Sequence, residues 1–136
     1  MGRILALDHG DRRIGIAVSD PLKIIASPHG TIDRRKTPDI FSEISHLISQ
    51  LEIEVVVVGL PLNMKGLDSD QTRKVRSFIS DLQNHTAIAI HTVDERLSSS
   101  SAEQSLVQRG VRTGKKKGAV DSTAAAIFLQ EYLDSL

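Results

Sequence analysis

The 136-residue chain contains no cysteine and no tryptophan, and its aromatic residues are three phenylalanines and one tyrosine. Without cysteine there are no disulfides and no thiolate metal sites, a composition that fits a reducing compartment. With aromatics at 3%, stacking on side-chain rings cannot be the main grip on single-stranded nucleic acid. Net charge is also missing: 17 basic residues balance 17 acidic ones, so a polyanionic partner has to be met by a local basic patch rather than by a global field. No apolar run approaches the ~20 residues of a membrane span, and no stretch has a signal-peptide layout. A cytoplasmic protein with no membrane partner is expected. Hydrophobic residues at 40% and charged residues at 25% suit an ordinary globular core, and the length suits one domain, residues 1–136.

The most informative stretch runs from Ile4 to Asp20. Two apolar runs, Ile4–Leu7 and Ile14–Val18, flank a polar turn containing Gly10, which predicts a β-hairpin whose first strand is buried on both faces. Asp8 stands where the first run stops. A carboxylate at the end of a buried strand lies on the sheet rim, where α/β folds place chemistry; the plainer alternative is that it caps a tight turn. Gly10 and Gly15 permit close approach of backbone or ligand around it.

Lys23–Ile32 reads as a weaker strand, and Pro28 inside it predicts an edge or a bulge. Arg34, Arg35 and Lys36 read as a solvated basic turn. Thr37 as N-cap and Pro38 at the first helical position open a helix with an apolar face of Ile40, Phe41, Ile44, Leu47, Ile48 and Leu51. The β-branched run Ile53–Gly59 predicts a central parallel strand, returned beside the first by a right-handed crossover. A polar loop, Leu60–Asp70, follows on the same rim. A second helix from Asp70 carries Val75, Phe78, Ile79 and Leu82, and a strand over Thr86–Val93 ends on Asp94-Glu95-Arg96. A third helix is expected from the serines at 98–101 to Gly110, then a glycine-bracketed basic loop with Arg112, Lys115, Lys116 and Lys117. The last helix is predicted from Ala119 to about Leu133, with Asp121 in its first turn, where the helix dipole alone would favour an acid.

Asp8, Glu95 and Asp121 therefore fall at comparable places: after the first strand, after the last strand and at the start of the last helix. Hard divalent cations take carboxylate oxygens and waters, and two of them can clamp the attacking and leaving oxygens of a phosphodiester displacement. Asp94 and Asp11 are the alternative ligands. His9, beside Asp8, is the one histidine placed to carry a proton, although a structural role suits it better.

These segments carry a resemblance. Leu7-Asp8-His9-Gly10 through Arg13-Ile14-Gly15-Ile16-Ala17, Val58 through Gly66, Asp94-Glu95-Arg96-Leu97 and the lysine-rich loop leading to Asp121 together resemble the YqgF family, a bacterial group of the RNase H-like superfamily related to the RuvC Holliday junction resolvases. The resemblance implies an α/β RNase H-like fold, a five-stranded mixed sheet with helices on both faces. It implies magnesium-dependent cleavage of nucleic acid, with manganese as the alternative ion, in maturing the 5′ end of pre-16S rRNA; junction resolution is the alternative. It places the catalytic and metal-binding role on Asp8, Glu95 and Asp121, and nucleic-acid contacts on Arg13, Lys65, Arg96, Arg112, Lys115, Lys116 and Lys117. The expected partner is precursor rRNA or branched DNA, and the expected state is a monomer or weak homodimer. The family pattern departs at one point: the strand beside the first ends in Gly59-Leu60-Pro61 without a carboxylate, so Glu95, one strand over, has to stand in. A catalytically silent RNA-binding module is the rival from another class, although three rim carboxylates would repel phosphate unless a cation lay between. Actin-like ATPases and sugar kinases are a further rival, but they close a cleft between two such domains and this chain offers one.

Overall fold

A computed structural model describes residues 2–62, 67–94 and 117–136, with the side chains of 117–121 outside the description. The elements are β1 (Arg3–His9), β2 (Arg13–Ser19), β3 (Ala26–Asp33), α1 (Ile40–Gln50), β4 (Ile53–Leu60), α2 (Asp70–Gln83), β5 (Ala89–Asp94) and α3 (Lys117–Asp134). The sheet has five strands in the order β3-β2-β1-β4-β5. β1 pairs antiparallel with β2 and parallel with β4, β2–β3 is antiparallel and β4–β5 parallel, so the sheet is mixed, as expected.

Alternation along β1 assigns its side chains to two cores. Leu5 and Leu7 join Ile14, Ile16, Val56 and Val58 under α1 and α2, with Ile40, Ile44, Val75, Phe78 and Leu82. Ile4 and Ala6 join Ala17 and Val57 under α3, with Ala125, Ala126, Phe128, Leu129 and Leu133. Alanine meets alanine at this second interface, which lets the helix axis approach the sheet closely. Helices thus cover both faces.

Several boundaries differ from those read in the sequence. α1 is capped by Asp39, not Thr37: its carboxylate accepts from the Ser42 amide at 3.1 Å and the Ser42 hydroxyl at 2.7 Å, and these bonds hold the Asp39 carboxyl below its ordinary pKa. A carboxylate is the stronger acceptor and also suits the positive helix end. β3 begins at Ala26, because Asp20 Oδ1 accepts from the amides of Ile24 (2.7 Å) and Ile25 (2.9 Å) and folds that stretch into a loop. Pro28 does lie on an edge strand, at a register shift opposite Ile16 and Ala17. β5 begins at Ala89 rather than Thr86. α2 starts at Asp70 as read, with a capping box between Ser69 and Thr72. α3 starts at Lys117, two residues early, which takes Lys117 out of the basic loop and moves Asp121 out of the helix's opening turn.

The hairpin turn explains Gly10. Its amide donates to the Arg13 carbonyl at 2.9 Å, and a Cβ there would stand 2.6 Å from that same oxygen. Gly10→Ala is expected to cost about 1–3 kcal/mol by straining or breaking this closure, a loss measurable by urea unfolding.

Candidate active site

Asp8 is the last β1 residue on the α3 side of the sheet, since it continues the Ile4–Ala6 series. It is half-buried. Its β2 partner is Gly15, and on β4 the residue after the Leu7–Val58 pair is Gly59. The carboxylate is therefore flanked on both neighbouring strands by residues without side chains. The missing acid on β4 thus leaves a glycine beside Asp8.

α3 packs over the face of the sheet that carries Asp8. Gln130 ties its far end to the opposite end of the sheet, donating from Nε2 to the Ile24 carbonyl (2.9 Å) and accepting from the Ala26 amide at Oε1 (2.9 Å). Ala26 pairs with Ser19, four residues along β2 from Gly15, a distance of about 13–14 Å at strand rise. Asp121 precedes Gln130 by nine residues, about 13–14 Å at helical rise. Asp121 thus lies about as far from the Gln130 anchor along α3 as Gly15 lies from Ser19 along β2.

The other sequence candidates divide. Arg13 has the parity of Gly15 and Ala17, so it stands on the Asp8 side one step beyond the carboxylate, half-buried. Asp94 pairs in register with Leu60, which belongs to the opposite core, so its position on the sheet is not that of Asp8. Asp11 is exposed at the hairpin turn with one oxygen 3.4 Å from Lys74 Nζ. Glu95, Lys65, Arg96, Arg112, Lys115 and Lys116 lie outside the described residues, as does the expected third helix; Lys117 begins α3.

His9 points away from Asp8. It is buried at 7% exposure, its ring lies 4.7 Å from that of Phe78, and its Nε2 accepts from Arg34 Nη1 at 2.8 Å. Because a guanidinium only donates, the histidine must be neutral with its hydrogen on Nδ1. Burial first, and the Arg34 charge second, lower its pKa from 6.5 to about 4. It braces the strand end from behind and is not a proton carrier at the carboxylate. The β1 alternation Leu5, Leu7, His9 signals this; the role of Arg34, which also donates to the Gly10 carbonyl at 3.2 Å, had no sequence signal.

The donor set fits a hard cation. Asp8 offers carboxylate oxygens between glycines on the two neighbouring strands, whereas the imidazole next in sequence faces the other way. Among the described residues no cluster of three or more ligating side chains is assembled, and no helix is long and apolar enough to cross a membrane.

Comparison with known proteins bears on the family and the fold. A family model described as "RuvX: Holliday junction resolvase" matches residues 2–135. A Maridesulfovibrio salexigens protein named "Putative pre-16S rRNA nuclease" is 40% identical over 131 residues, covering 96% of this chain and 97% of its own. One of the same name from Desulforamulus reducens is 41% identical over 133 residues, 98% and 97% of the two chains. Among solved structures, Thermus thermophilus RuvC in complex with a Holliday junction substrate superposes with a TM-score of 0.61 at 15% identity, over 99% of this chain and 95% of that one, which shows a shared fold. With its family model spanning all but the first and last residue, and such identity sustained along nearly the whole length, the chain belongs to the RuvX family, the YqgF group that its motifs resemble.

Proposed function

We propose that this chain is a magnesium-dependent nuclease that cleaves phosphodiester bonds in precursor rRNA, acting at the 5′ end of pre-16S rRNA, as the names of its relatives suggest. The observation that carries the reading is Asp8 on a glycine-flanked rim, beneath the helix that bears Asp121. Asp8, Glu95 and Asp121 would hold the ion; Asp94, in the register of the opposite core, leaves that place to Glu95. Magnesium, when bound, would lower the repulsion between this acidic rim and an incoming phosphate and stabilise charge on the leaving oxygen. The protein's own part is to gather carboxylates from both ends of the sequence on a rigid strand and helix, and to leave the phosphate space over Gly15 and Gly59. His9 and Arg34 keep the strand end fixed from behind. Arg13, Lys65, Arg96, Arg112, Lys115, Lys116 and Lys117 would hold flanking phosphates.

Incubation with labelled precursor rRNA and with a four-way DNA junction, each with and without magnesium, tests the reading. Cutting of the rRNA only with the ion supports it. Preferential cutting of the junction moves the assignment to a resolvase, the second reading favoured by the family description and the RuvC-like fold; paired cuts would then require a two-fold partner, whereas rRNA trimming suits a monomer or weak homodimer. No cutting of either leaves an RNA-binding module. Changing Lys115, Lys116 and Lys117 to alanine should lower the slope of log affinity against log salt by about 2–3, at roughly 0.7–0.9 per phosphate contact. An unchanged slope in a titration from low to high salt would place the backbone grip elsewhere.

A further inference from the structure

On the face of the sheet opposite Asp8, one residue further along β1, a cavity of about 420 Å³ is lined by His9, Asp11, Arg34, Phe41, Lys74, Ser77, Phe78 and Asp81. Its size lies within the range of small-molecule sites. Two of the chain's three phenylalanines are here, with rings stacked at 5.6 Å. Phe78 is buried and Phe41 half-buried; Phe41 also stacks on the His85 ring at 4.8 Å, so what it offers the cavity is a ring edge rather than a face. Two cations flank it. Arg34 spends Nη1 on His9 and Gly10, while Nη2 has no protein partner among the described residues. Lys74 is more than half exposed and reaches Asp11 over a long 3.4 Å. Along α2 from Lys74, the Ser77 hydroxyl one turn on and the Asp81 carboxylate two turns on also line the cavity and carry no side-chain hydrogen bond among the described residues.

The charges decide the ligand class. Two cations and two carboxylates make the lining neutral, so a bare phosphate would gain from Arg34 and Lys74 but be opposed by Asp11 and Asp81. A ligand that is anionic at one end, flat in the middle and a hydrogen-bond donor at the other satisfies every group. A nucleotide whose base carries an exocyclic amine has that pattern: phosphate toward Arg34 and Lys74, base face against the edge of the Phe41 ring, amine toward Asp81. We infer that this cavity is a nucleotide subsite selective for amine-bearing bases, adenine, cytosine or guanine, over uracil. The ligand is an unstacked nucleotide of a substrate strand crossing the β1–β2 turn, or a free nucleotide. The first source rests on the nuclease reading; the second does not.

Binding is measured on full-length Asp8→Asn protein in metal-free buffer, so that no cleavage is required. AMP, CMP, GMP, UMP and inorganic phosphate are titrated separately, following the His9 and phenylalanine ring signals by NMR. The expected result is that the three amine-bearing nucleotides bind about fivefold or more tighter than UMP and phosphate, the scale of one charge-assisted hydrogen bond at a partly exposed site. Lys74→Ala should weaken all nucleotides, and Asp81→Asn should erase the preference over UMP; both side chains are exposed, so the fold is retained. Equal binding of UMP or phosphate, or indifference to both substitutions, overturns the subsite. A single-stranded oligonucleotide separates the sources. If Lys74→Ala weakens oligonucleotide and mononucleotide binding by the same factor, the occupant is part of the substrate strand; if it affects mononucleotides alone, the occupant is a free nucleotide. Absence of magnesium-dependent cutting by the wild type would reject the nuclease reading while leaving these affinities to judge the cavity.

Discussion

Asp8→Asn is expected to abolish cleavage, lowering the rate by about three orders of magnitude or more, the scale lost when one preorganised group that stabilises developing charge is removed. The substitution nearly preserves shape at a half-buried strand end, so the β1–β2 hairpin should persist and the thermal midpoint in metal-free buffer should hold or rise. Added magnesium should raise the midpoint of the wild type by mass action and leave that of the variant nearly unmoved. Wild-type turnover in the variant would reduce Asp8 to a structural cap. A midpoint that falls with cleavage intact would do the same, since a lost cap costs about 0.5–2 kcal/mol without touching chemistry.

The second large effect is on stability in mild acid. His9 is neutral in the folded protein, with its pKa lowered to about 4 by burial and by Arg34, whereas the unfolded chain titrates near the ordinary 6.5. Between those values the unfolded state binds the extra proton, so stability rises with pH: it is full above about 6.5, falls as pH drops toward 4, and levels off below. Between pH 7 and pH 4.5 the wild type should lose about 2–3 kcal/mol from this group alone. His9→Gln, which keeps an acceptor for Arg34, should show a much flatter profile by urea unfolding across that window. Parallel profiles for the two proteins would mean that the imidazole is not held neutral by the fold. The carboxylates of Asp20, Asp39, Glu54 and Asp68, all lowered by hydrogen bonds, also lose stability toward acid, at the lower end of this window and below it, but they do so equally in both proteins and cancel in the comparison.

What could be read from residues alone was what depends on periodicity and on strand ends. Asp8 terminates an apolar run, and that position on the rim was visible without coordinates. The crossover from β1 to β4 followed from an unbroken β-branched run after a helix, and Pro28 marked the edge. The α1 cap was misplaced because Thr37-Pro38 and Asp39 both satisfy capping preferences, and only the Asp39–Ser42 bonds decide between them. The start of α3 at Lys117 was hidden because Gly118 looks like a loop residue while the helix runs through it. Least legible was the Arg34 contact: a residue that looks like one of three solvated cations spans 25 positions to hold His9, and no local pattern encodes that distance. The opposing roles of Asp8 and His9 were implicit in alternation but needed the two cores to say which side was which. The second and third carboxylates of the candidate site rest on their positions in the sequence.

The dependence of one face of the sheet on α3 has a consequence for biosynthesis. Ile4, Ala6, Ala17 and Val57 are covered by Ala125, Ala126, Phe128, Leu129 and Leu133, so a nascent chain can close the hairpin and the β4 crossover while that face is still bare. Residues 117–134 emerge after every strand, at a synthesis rate of about 5–20 residues per second. Until they dock, Ile4, Ala6, Ala17 and Val57 stay exposed to water. Strand pairing and helix docking are thus separate events in this fold, and the second of them completes the core on the Asp8 side of the sheet.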